Sequence, residues 1–181
     1  MNKIVEQLSP HIKVIIGLGN PGPQFKFTRH NIGFQVVDAL VEKYDGAWQK
    51  KDKMLCASIS INDQQVLVVK PQTFMNSSGE VIPGLLKKGI KSETILVVHD
   101  ELEKPFGSLM LKQSGSHKGH NGLRSLIVTA TADFWRLRFG IGRPERKEDV
   151  PHYVLENFKE PAESINLLIQ KSISLIEATF S

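Results

Sequence analysis

The chain has 181 residues, 40% of them hydrophobic and 23% charged, with a formal net charge of +4. This length suits one domain with its own core, and a single cysteine excludes both a disulfide framework and a Cys-rich zinc site. No apolar run approaches the ~20 residues a membrane span requires, and an isoelectric point of about 9.2 leans toward a polyanionic partner.

Residues 1–13 mix Lys3, Glu6, Pro10 and His11 with isolated apolar residues and lack the continuous apolar core of a secretory signal. Residues 1–12 therefore read as a short extension on a single cytoplasmic domain with no membrane segment. Residues 13–18 (KVIIGL) form a buried strand ending in glycine. Residues 31–44 place Ile32, Val36, Val37, Leu40 and Val41 at helical spacing. Residues 55–61 and 65–69 read as two strands joined at Asn62-Asp63-Gln64. A helix is expected over 77–88, stopped by Gly89 and weakened in its first half by Pro83.

Residues 94–98 (TILVV) read as a further buried strand, delivering His99, Asp100 and Glu101 at its end. Residues 121–129 are expected to be helical, 135–141 a strand, and 160–178 an amphipathic closing helix. Strands alternating with helices imply an α/β domain, a central mixed and mostly parallel sheet flanked by helices. Ligands of such sheets gather at the carboxyl ends of strands, where the polar clusters fall.

Gly17-Leu-Gly19-Asn20-Pro21-Gly22 spells the dinucleotide fingerprint, but its chemistry does not fit. Pro21 and Pro23 remove backbone donors a pyrophosphate needs, and the helix begins only near Asn31. The segment is then a tight strand-end turn, or one that aims the Asn20 amide into a cleft. His30, in Thr28-Arg29-His30-Asn31, stands at a helix N-terminus, whose positive end disfavours an imidazolium. A neutral imidazole there suits a general base, although a surface or capping role fits the position too. Asp100 can orient and stabilise an imidazole, or cap a turn.

In Lys70-Pro71-Gln72-Thr73-Phe74-Met75-Asn76, Asn76 can cap the next helix, or its amide can bind a peptide backbone beside Phe74 and Met75. The glycine-rich segment 115–122 is a mobile lid or an anion nest. His117 and His120 with His99 and Asp100 are a conceivable metal set, but i,i+3 histidines on a glycine loop lack rigidity. No GxSxG elbow is present, and Cys56 sits in an apolar strand pattern, so covalent catalysis has no evident agent.

The blocks GLGNPG, TRHNIGF, KPQTFMNSSG, VVHDELEKPFG, GSHKGHNGLRS, RLRFGIGRP and YVLENF, in this order from about residue 13 to about residue 158, resemble bacterial peptidyl-tRNA hydrolases. The resemblance implies hydrolysis of the ester joining a peptide to the 3′ end of tRNA. It implies a metal-free, cofactor-free monomer whose partner is peptidyl-tRNA. His30 matches the family's catalytic base and Asp100 the acid that orients it. Asn20 matches the position that distinguishes peptidyl from unblocked aminoacyl esters. Phe74, Met75, Asn76, His120 and Asn121 match substrate-binding positions, with Asn121 also near the attacking water.

Lys112 and Arg138 match the clamp on a tRNA terminal phosphate, which Arg136, Arg143 and Lys118 would extend. Two departures stand out. Phe25 replaces the family's usual tyrosine, keeping a surface for stacking on RNA but losing the phenolic hydroxyl. The segment Gly115-Ser116-His117-Lys118-Gly119 is also less glycine-rich than the common form.

Overall fold

The computed structural model describes residues 11–181. The first ten residues of the expected extension lie outside the described residues. Its last residue, Ile12, is buried in the core.

Seven strands form one sheet: β1 (Val14–Gly17), β2 (Gln49–Lys51), β3 (Met54–Ile61), β4 (Gln64–Pro71), β5 (Ile95–Glu101), β6 (Leu109–Gln113) and β7 (Trp135–Gly140). Their order is β2-β3-β4-β1-β5-β7-β6. The central neighbours β4-β1, β1-β5 and β5-β7 are parallel, while β2-β3, β3-β4 and β6-β7 are antiparallel. The sheet is thus evenly mixed rather than mostly parallel. The reason is local: the polar edge pair Gln49–Lys51 and the short Leu109–Gln113, neither expected, both add antiparallel neighbours.

Strand alternation splits the core in two. Ile15, Leu96 and Val98 face α1 (Ile32–Lys43) and α5 (Ala162–Ala178), joining Val36, Val37, Leu40, Ile173 and Ile176. Val14, Ile16, Ile95 and Val97 face the other way, onto Leu85 of α2 (Ile82–Lys87) and Leu123 and Leu126 of α3 (Asn121–Thr129). This period of two is what a sheet covered on both faces requires.

The β3–β4 hairpin turns on two residues, Asn62 and Asp63, both at positive φ (48° and 62°). That is the conformation its two-residue loop demands, and Asn and Asp tolerate it best among residues with a side chain. Residues 75–81 form a 3-10 helix instead of the first turns of an α-helix, and Pro83 sits in the first turn of α2, where its missing N–H costs nothing.

Helix α1 lies so close to the sheet that Gly33 leaves no room for a side chain against β5 and the residue following β1. A Cβ there would meet the Val98 carbonyl and come within 2.5 Å of the Leu18 amide nitrogen and carbonyl oxygen. Backbone atoms cannot step aside, so Gly33→Ala is expected to cost about 3 kcal/mol, the upper end of the usual overpacking range, read as a lowered urea midpoint with an unchanged slope.

Candidate active site

Three parallel neighbours, β4, β1 and β5, deliver their carboxyl ends to one edge of the sheet. Asn20 follows β1, Phe74-Met75-Asn76 follow β4, and Asp100 lies near the end of β5. His30 is the middle residue of a 3-10 turn (Arg29–Asn31) leading into α1. That turn is fixed from a second side. The Arg29 and His30 amides donate to the carbonyls of Glu156 and Val154, at 3.0 and 2.9 Å. The Arg29 guanidinium donates to the Tyr153 carbonyl at 2.8 Å, pairs with Glu156 at 3.2 Å and stacks on the Tyr153 ring. The block Tyr153–Phe158 therefore serves to seat the histidine.

His30 Nδ1 lies 3.0 and 2.9 Å from the two oxygens of Asp100, whose carboxylate is only 2% exposed. The same carboxylate faces His120 Nε2 at 2.8 Å. Asp100 caps no turn; it holds two imidazoles. The His120 tautomer follows from its other nitrogen: Nδ1 accepts the Gly122 and Leu123 amides at 3.1 and 3.3 Å, capping α3. The proton is therefore on Nε2 and is donated to Asp100. His30 in turn donates its Nδ1–H to Asp100, so its Nε2 carries the lone pair, and no described residue occupies it.

The electrostatics follow from this geometry. Burial pushes the His30 imidazolium down, but the charge and hydrogen bond of Asp100 outweigh it, and the pKa rises above 6.5. The expectation of a depressed value from the helix end is thus corrected: a carboxylate in direct contact dominates a terminal dipole. Asp100 is itself opposed by burial, yet the two histidines hold it well below the usual carboxylate range. His99 is buried, donates Nδ1–H to the Asp100 carbonyl at 2.7 Å and is pushed down to about 3, first by burial and then by His120.

Asn20 is held by a residue the sequence reading passed over. Asn31, directly after His30, accepts the Asn20 amide and donates to its carbonyl, both at 2.9 Å. The Asn20 side-chain oxygen accepts the Met75 amide at 2.7 Å. Its Nδ2 is left as a donor, an orientation inferred from this bonding.

A cleft of about 350 Å³ is lined by Asn20, Phe25, His30, Phe74, Met75, Asn76 and Asn121, together with Pro151, Val154 and Leu155. Seven predicted positions thus meet in one place. Phe74 is 65% exposed at the rim, and Asn76 caps no helix, since the 3-10 turn begins after Phe74. A smaller cavity of about 140 Å³, sharing His30 and Asn121 with the cleft, holds Asp100, His120 and the loop residues His117 to Gly119.

Lys112 and Arg138 line neither cavity. They stand on β6 and β7, where Lys112 pairs in register with Arg136 and Arg138 with Met110. Lys112 is exposed, whereas Arg138 is nearly buried at 3.7 Å from Glu101. Arg136 is fully buried and so cannot extend a phosphate-binding surface. Arg143 is exposed but paired with Glu103, and Lys118 is exposed on the loop.

The metal set drawn from His99, His117 and His120 does not assemble. His99 bonds the backbone, and His117 accepts the Gly119 amide at 3.0 Å. Among the described residues, the trio that could hold an ion is His30, Asp100 and His120. Proton accounting argues against it. With Nδ1 accepting two amides, His120 could ligate through Nε2 only as an imidazolate.

A family model described as "Peptidyl-tRNA hydrolase" matches residues 14–181. The "Peptidyl-tRNA hydrolase" of Dichelobacter nodosus is 46% identical over 149 residues, covering 80% of this chain and 79% of its own. That of Shouchella clausii is 42% identical over 171 residues, covering 92% of each. Among solved structures, a peptidyl-tRNA hydrolase from Acinetobacter baumannii aligns at 35% identity and a TM-score of 0.81, covering 94% of both chains. A peptidyl-tRNA hydrolase in complex with n-propanol aligns at 36% identity and a TM-score of 0.88, covering 94% of this chain and 89% of its own.

Proposed function

The chain belongs to the peptidyl-tRNA hydrolase family and hydrolyses peptidyl-tRNA, and we propose that it does so through His30 acting as general base on water. The supporting observation is that His30 donates Nδ1–H to buried Asp100 and keeps Nε2 free beside Asn20, Asn76 and Asn121. Water held at Nε2 loses a proton as it attacks the ester carbonyl, and Asp100 stabilises the imidazolium that forms. The Asn20 Nδ2 and the Asn121 amide supply donors for the developing oxyanion. The imidazolium returns its proton to the departing ribose oxygen. An alkoxide of this kind leaves readily enough that neither a covalent intermediate nor a metal is needed.

Phe25, Phe74, Met75, Asn76 and His120 complete the substrate surface. The apolar groups contact the peptide and terminal nucleotide, while the carboxamide reads backbone common to every peptide. Lys112 and Arg138, on neighbouring strands, are assigned to a tRNA phosphate, a contact that gives affinity without reading sequence. No described helix is long and apolar enough to cross a membrane. We further assign the chain to the cytoplasm as a monomer, because one chain supplies every group of the cleft and the substrate is a product of translation.

The base must be neutral to act, and its pKa is raised. The rate with peptidyl-tRNA is therefore expected to rise with pH through a single step whose midpoint lies above 6.5, measured as kcat/KM across pH 5–9. A midpoint at or below 6.5 would count against His30 paired with Asp100 as the base. Stability runs the opposite way. The His30 contribution is complete below 6.5 and is lost as pH rises through the raised value.

A further inference from the structure

Arg136 is 0% exposed, the largest of the fully buried side chains, yet no carboxylate lies within ion-pairing distance of it among the described residues. Glu101, the acid whose charge acts on it, is paired with Arg138 at 3.7 Å. Burial and the Arg138 charge both press the guanidinium toward neutrality, although an arginine remains charged. Its compensation comes from the backbone of one loop. Nη1 donates to the Ser116 carbonyl at 2.7 Å and Nη2 to the Gly115 carbonyl, while the Phe134 ring lies 4.7 Å beneath.

The loop it grips is costly to hold. Ser114, Gly115, Lys118 and Gly119 all have positive φ (61°, 118°, 46° and 84°). Its far end is pinned by the His117–Gly119 turn and then by His120, which caps α3 and donates to Asp100. The buried cation thus clasps one end of a six-residue segment whose other end carries the second partner of the catalytic carboxylate.

We propose that Arg136 is a positioning residue for hydrolysis: by holding the Gly115 and Ser116 carbonyls it keeps the 114–119 loop closed and His120 seated against Asp100. This rests on the reading of His30 and Asp100 given above, and the two fail separately. If His30→Ala leaves the rate intact, that reading falls whatever Arg136 does. If His30→Ala abolishes turnover and Arg136 variants do not matter, only the clasp falls.

The test uses the full chain with Arg136→Gln and Arg136→Lys. Steady-state kinetics on peptidyl-tRNA are combined with ¹⁵N chemical shifts of the His120 ring. For Arg136→Gln, kcat is expected to fall about tenfold with KM nearly unchanged, the size that a small misplacement in a catalytic constellation produces. The His120 signal should move from a single Nε2–H tautomer to an average. Lysine, which keeps the charge and can reach a carbonyl, should recover part of the loss.

Should Arg136→Gln fail to fold, Gly115→Ala attacks the clasp from the loop side. That residue is at φ 118°, and a Cβ there would stand 3.6 Å from Arg136 Nη1. It is expected to reproduce the loss in kcat and the change at His120. A kcat within twofold of the parent, or a loss shared equally by Gln and Lys with the His120 tautomer untouched, would overturn the proposal.

Discussion

Replacing His30 by alanine is expected to lower kcat toward peptidyl-tRNA by about 10²–10⁴-fold, the range that a positioned general base supplies. The fold should persist. The segment is held by main-chain bonds to Val154 and Glu156 and by the Arg29–Tyr153 stack, none of which uses the imidazole. Asp100 keeps its bond to His120. The measurement is release of free tRNA from purified peptidyl-tRNA, alongside a thermal melt of the same preparation. A variant that melts near the parent temperature yet turns over at more than a tenth of its rate would remove His30 from the mechanism.

Asp100→Asn is expected to be nearly as damaging, and the route can be traced atom by atom. Because the cap of α3 fixes His120 as an Nε2–H donor, the new amide must turn its oxygen to His120. Its NH₂ then takes the place of Oδ2, 2.9 Å from His30 Nδ1, and pairing that donor requires His30 to accept at Nδ1 in place of the bond to Oδ1 at 3.0 Å. That drives the His30 proton onto Nε2 and removes the lone pair from the cleft. A wrong tautomer of this kind costs on the order of 10⁴-fold in kcat. Loss of the carboxylate charge also lowers the His30 pKa, so what activity remains should keep its acid limb at lower pH than the parent. A loss under tenfold would show that Asp100 does not set the tautomer.

The parts of this architecture that were legible in the sequence are those with a period. Ile95 to Val98 and Ile15 to Ile16 read as buried strands because apolar residues run without a break. Helix α1 is legible through its spacing and α5 through its amphipathic pattern. Edge strands are not: Gln49–Lys51 is entirely exposed, and Leu109–Gln113 is only half-buried. The all-polar Gln49–Lys51 carries no apolar period, and Leu109-Met110-Leu111 is too short a run to establish one. A mostly parallel sheet is not found, because the two unseen edge strands add antiparallel pairings to the β3–β4 hairpin that was legible.

In the site, residue types and their places at strand ends were readable, and family blocks tied them to roles. The contacts were not. His30 and Asp100 are 70 positions apart, and nothing local pairs them. Asn31, which grips the Asn20 backbone, looked like the first residue of a helix. Arg136 is buried against the general expectation that arginines are exposed. Its burial depends on a loop folding back over β7, and no local pattern encodes that. The helix end alone gives the wrong direction for the His30 pKa, because the dipole favours the neutral ring while the Asp100 carboxylate favours the imidazolium. The dipole was legible from sequence, whereas the stronger carboxylate acts only once the chain has folded.

Catalysis by this site turns on the protonation state of the His30 ring, which can be measured directly. Titration of the ¹⁵N-labelled His30 imidazole is predicted to show an Nδ1–H neutral tautomer and a pKa above 6.5 that coincides with the acid limb of kcat/KM. An Nε2–H tautomer, or a kinetic limb that does not follow the His30 titration, would contradict it.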